Sequence, residues 1–121
     1  MIDELASKVF ATRDAAHRAH WATSSYAEHM ALADFYEALP DAVDELVECY
    51  QGQFEMVGDF GVDLPAEASQ PTDIKTRLRD DIDWMQAVRE DICRDDPSLL
   101  NLLDAIVALY QRALYKLMRL A

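Results

Sequence analysis

The chain has 121 residues, 51% of them hydrophobic, with three glycines and four prolines, a composition that suits one helical globular domain over 1–121 and excludes a disordered or low-complexity chain. Its formal charge is -12, and no Lys or Arg falls between Arg18 and Lys75. So long an acidic stretch repels phosphate backbones and attracts cations, which makes nucleic-acid binding through it unfavourable and leaves a solvated acidic face as the plain alternative.

The opening segment "MIDELASKVF" has no basic region followed by an apolar one, so no secretion signal is expected and the chain reads as cytoplasmic. From Ile2 to Ala22 the residues Leu5, Val9, Thr12, Ala16 and Ala19 recur at steps of four and three, which predicts a first helix whose small residues permit close packing. "TSS" at Thr23 to Ser25, with Glu28 three positions after Ser25, is a capping-box arrangement and starts a second helix. That helix is expected to run to about Val57, and Pro40 within it either kinks it or begins a fresh helix. Gly58 to Pro71 reads as a crossing connection.

Thr72 is the expected cap of a third helix from Asp73 to Cys93, with Ile74, Leu78, Ile82, Met85, Val88 and Ile92 inward. After the break "RDDPS", Asp96 and Pro97 supply the N-cap and first-turn proline of a fourth helix, buried through Leu99, Leu102, Leu103, Ile106, Leu109, Tyr110, Leu114 and Leu117. Its polar residues Asp104, Arg112, Lys116 and Arg119 exclude a membrane span. Cys49 and Cys93 are read as reduced and buried, since two cysteines at that separation make neither a metal pair nor a disulfide framework. Two helical hairpins joined by one longer crossover describe an all-α, four-helix bundle with ferritin-like connectivity.

All three histidines, His17, His20 and His29, precede a run of carboxylates. A lone His or Glu on an amphipathic helix is usually a surface or capping residue, yet spacing groups these: His17 and His20 share a face, and Asp44 and Glu48 lie about 60° and 100° around the second helix from His29. His29 and Glu48 are about 28 Å apart along a straight helix, so one ion within one chain cannot reach both. If both are ligands, two copies must lie antiparallel across a two-fold interface. Imidazole with carboxylates suits iron, manganese or zinc. The Glu-x-x-His repeats of a within-chain di-iron bundle are absent, as are zincin, P-loop and dinucleotide motifs.

The "HW" of His20 and Trp21, the later His29, and Asp44 with Glu48 in "DELVE" resemble the interfacial ferroxidase signature of the Dps-like, mini-ferritin branch of the ferritin-like superfamily. The third and fourth helices are similar more loosely. The resemblance implies a homodimer or larger closed homo-oligomer in which His20 and His29 of one subunit, and Asp44 and Glu48 of its two-fold mate, bind iron, with Trp21 beside the site. The chain departs from the pattern in three ways. His17, rather than His20, fits the family's usual interval to His29. The family's further Asp aligns with Ala33, leaving Asp34 or Glu37 as substitutes, of which Glu37 lies nearer the Asp44 and Glu48 stripe. The chain is also shorter than typical members and lacks the basic amino-terminal tail used for DNA binding. It looks like the small Dps-like proteins of phage and bacterial genomes, whose role would be either iron oxidation or non-enzymatic assembly, for example virion-associated.

Overall fold

The computed structural model describes residues 1–59 and 73–120, which form four helices: α1 (Ile2–Ala22), α2 (Tyr26–Gln53), α3 (Ile74–Cys93) and α4 (Pro97–Arg119). Each helix turns one apolar stripe inward, and the stripes meet in one core around Leu5, Val9, Leu32, Leu39, Leu78, Met85, Leu103 and Tyr110. The starts are set by side-chain caps on otherwise unpaired amides: Ser25 Oγ accepts from the Glu28 amide, Asp73 from the Thr76 amide and Asp96 from the Leu99 amide.

Helix α1 packs on α2 and α3, and α4 packs on the same two, so the order around the core is α1, α2, α4, α3. Their directions follow from named contacts. Lys8 lies over the Trp84 ring while Thr12, one turn later, bonds Asp81, one turn earlier, so α1 and α3 are antiparallel. Tyr110 packs edge-on against Phe35 while Lys116 reaches back to Asp34, so α2 and α4 are antiparallel too. Arg94, at the end of α3, bonds Tyr50 and Glu55 at the end of α2. The chain therefore leaves α2 at one end of the molecule and enters α3 at the other, and the four helices run up, down, down, up. Among the described residues no helix is long and apolar enough to cross a membrane.

Several expectations need correction. Helix α2 passes through Pro40 without restarting and stops at Gln53 rather than near Val57. Its end is drawn off by Tyr50, Phe54 and Glu55, which turn to meet the Arg94 guanidinium. Asp73 caps α3 with its own carboxylate, and Thr72, the expected cap, lies outside the described residues, as does the connection from 60 to 71. Cys93 is buried, and burial pushes its thiol up to about 11. Cys49 is exposed, because it falls on the outer side of α2 away from the Leu46 and Tyr50 stripe. Within the bundle Asp81 is buried, which the apolar pattern of α3 does not announce.

Candidate functional site

The three histidines meet where α1 turns into α2. Thr23 Oγ1 donates to the Glu28 carboxylate at 2.8 Å and accepts from the Ser25 amide at 3.1 Å, so the expected capping box closes through Thr23. This tight turn sets His20 against His29. Their rings stack with centroids 3.5 Å apart and planes 16° from parallel. His20 Nδ1 lies 2.6 Å from the His29 carbonyl oxygen, and His29 Nδ1 lies 2.8 Å from that of His20. A carbonyl only accepts, so each Nδ1 carries a proton, and in a neutral ring the lone pair then lies on Nε2. Fixing the tautomer through a backbone carbonyl is how proteins orient imidazoles that ligate metals.

His17 stands edge-on to His20 and forms a second stack with Tyr36. Its ring lies 4.2 Å from Tyr36 at 16° and 4.5 Å from Trp21, with the edge of His20 at 6.0 Å. Tyr36 is the member that sequence reasoning missed: it reads as another apolar position of α2, and only its place opposite His17 reveals it. Trp21 does sit beside the histidines, but it is 68% exposed and covers one face of His17. Tyr26 and Met30, one turn apart at the start of α2, are exposed as well.

The carboxylates stand apart from this cluster. Asp44 and Glu48 are exposed on the outer side of the far half of α2, and Glu37 is exposed between them and the histidines. Asp34 pairs with Lys116 on α4 at 3.4 Å. Ala33 is half-buried. Among the described residues no group of three His, Cys, Asp or Glu side chains converges as a metal-binding set. An imidazole lone pair lies in the ring plane, and two stacked planes do not share an in-plane point. His20 and His29 as stacked are thus two separate one-nitrogen donors, and a joint chelate requires one ring to turn.

A protein from Enterobacteria phage T4, described as an uncharacterized 14.6 kDa protein in the mobD-ri intergenic region, is 25% identical over 115 residues, covering 95% of this chain and 86% of its own length. No solved structure matches. The family match begins at His20, includes the whole of α2, α3 and the histidine turn, and ends at Leu117 of α4. Over residues 20–117, therefore, the chain belongs to the DUF5856 family, a family of unknown function.

Proposed function

We propose that this chain is a Dps-like, iron-binding member of the ferritin-like four-helix bundles, whose metal site is completed only when two copies face each other across a two-fold axis. The reading rests on the reciprocal clasp of His20 and His29, which gathers two imidazoles at one end of the α1/α2 face with each Nε2 outside the clasp; one ring turns out of the stack when both bind one ion. The up, down, down, up order of the helices is compatible with ferritin-like connectivity. Asp44 and Glu48 are exposed at the opposite end of the same helix, so an antiparallel mate centred near Ala38 carries its carboxylates toward these imidazoles.

In this reading Fe(II) is the cargo and the substrate. His20 and His29 of one copy, with Asp44 and Glu48 of the other, hold it, His17 and Glu37 lie alongside, and peroxide or oxygen is the electron acceptor. Manganese or zinc suits the same mixture of imidazole and carboxylate. The acidic face raises the local concentration of cations. The T4 relative is phage-encoded, which favours a role in an infected bacterial cytoplasm or in the virion.

A second reading is a non-enzymatic assembly protein, favoured by two observations: Ala33 stands where the resembled family carries a carboxylate, and Trp21, Tyr26 and Met30 are large apolar side chains left exposed by the fold. Anaerobic Fe(II) titration followed by peroxide separates the two. The iron reading expects saturable binding by an oligomer, lost in His29→Ala and in Glu48→Ala and regained in part when the two variants are mixed, since each mixed dimer holds one intact site. An oligomer that takes up no iron above the level of either variant supports assembly alone.

A further inference from the structure

The up, down, down, up order gathers the end of α1, the starts of α2 and α3 and the end of α4 at one end of the molecule. Thr12 and Tyr110 both bond Asp81, and Phe35 packs on Tyr110, so these four residues mark one level across the bundle. Among the described residues, eight Lys and Arg stand with five Asp and Glu on the side of that level toward this end, and three stand with fifteen on the other side. The molecule is therefore polar along its axis, basic at one end and strongly acidic over the rest. Large apolar side chains follow the same division: Trp21, Tyr26, Met30, Tyr115, Met118 and Leu120 are exposed at the basic end, Tyr26 by 76% and Tyr115 by 57%. Arg79 Nη2 donates to Met118 Sδ at 3.1 Å, so cation and apolar group already lie side by side there.

We infer that this end of the molecule docks on the surface of an anionic lipid bilayer, with its Lys and Arg on the headgroups and the apolar side chains of its last turns in the interfacial layer. Clustered cations gain energy near an anionic leaflet, and Trp and Tyr are the side chains that settle at headgroup depth. The mixture separates this partner from a nucleic acid: Met30, Met118 and Leu120 offer nothing to a phosphate backbone or a base, while apolar side chains among cations are what an interfacial anchor needs. The chain rests on the bilayer and does not cross it. Its overall charge of -12 does not oppose the contact. The acidic part begins at the level of Thr12, ten residues or about 15 Å below the tip of α1, and at 0.15 M salt the Debye length is about 8 Å. The surface is the end of the bundle and not the carboxylates of α2, so it does not depend on the metal reading.

The experiment is co-sedimentation of the full chain with vesicles of phosphatidylcholine alone and of phosphatidylcholine and phosphatidylglycerol in equal parts. Binding is expected on the mixed vesicles only. Lys75→Gln and Arg119→Gln should each lower it about fivefold, whereas Glu45→Gln, which alters the net charge by as much in the acidic part, should leave it unchanged. Met118→Ser with Leu120→Ser should lower it without any change of charge. In a Trp84→Phe chain the remaining Trp21 should shift its emission to shorter wavelength on the mixed vesicles, and helicity by circular dichroism serves as the folding control. No binding to the mixed vesicles, equal binding to both kinds, or binding that leaves Trp21 emission unmoved overturns the inference. Retention of a single-stranded oligonucleotide, lost with Lys75→Gln in a chain that ignores vesicles, would assign the end to nucleic acid and overturn it. So would self-association weakened by Lys75→Gln in such a chain, which would assign it to the acidic end of another copy. Iron titration of the same variants reads the metal site separately.

Discussion

Asp81 is 6% exposed and lies where α1, α3 and α4 meet. Both Thr12 Oγ1 and Tyr110 Oη donate to its Oδ2, the latter at 2.7 Å. Burial raises its pKa, and the two hydroxyls, followed by Lys8 and Arg77, offset part of that rise. Burial and the neighbouring Asp81 charge likewise push the Tyr110 phenol well above its usual range. A carboxyl whose folded pKa lies above its unfolded value contributes stability that is fully present below the unfolded pKa and is lost as pH rises through the folded one. Acidification from neutral pH therefore relieves this site, until other groups reverse the trend. Asp81→Asn keeps an oxygen to accept the hydroxyls and carries no charge, so urea denaturation should find it at least as stable as the parent at neutral pH. It should also show a smaller gain on mild acidification. Tyr110→Phe leaves a buried carboxylate with one donor fewer and is expected to cost about 2 kcal/mol at neutral pH, and less in acid, where the group is neutral.

At the scale of the elements, the join between α3 and α4 shows what the sequence discloses and what it hides. Arg94 and Asp95 both have positive φ, 50° and 55°, without being glycine. The strain is held by contacts: Arg94 Nη2 reaches Glu55 at 2.7 Å and Tyr50 at 3.0 Å, and its guanidinium covers Phe54 at 4.3 Å. Arg94→Ala keeps the left-handed backbone and loses the clasp, whereas Arg94→Gly loses the clasp and relaxes the backbone. Thermal melts should therefore place Ala lowest and Gly between it and the parent, with about 0.5–1 kcal/mol separating Ala from Gly. The helix starts were legible because Ser25 and Asp96 cap amides three residues on and Pro97 fixes the first-turn φ. Arg94 was not, since its partners lie 39 and 44 positions back. Asp81 was hidden for the same reason, sitting among Asp80 and Asp83 with nothing local to mark it as the inward one. The histidine cluster was half legible: its turn is local, while the stacking of Tyr36 on His17 depends on how α1 and α2 are set together.

Over the whole molecule, charge is arranged by face and by end. On α2 the outward residues pass from Tyr26 and Met30 to Glu37, Asp41, Asp44 and Glu48, with no Lys or Arg anywhere along that helix. Two copies meeting on α2 bring acid toward imidazoles and apolar groups, with no cation on that helix to balance it. On α3 and α4 acid and base pair within the chain, as Arg89 does with Asp104. At 0.15 M salt the Debye length is about 8 Å, so the overall charge of -12 is already screened across the width of a bundle and the groups in contact decide the response. Raising salt from about 0.15 to 0.5 M should therefore leave a dimer formed on the α1/α2 face unchanged or tighter by sedimentation velocity, since added ions screen the repulsion between its carboxylates. In the proposed pairing the carboxylates of one copy approach the imidazoles of the other, so divalent metal should tighten the same dimer, and Glu48→Gln should blunt that response. A dimer that loosens in salt and ignores metal would place the contact on another face.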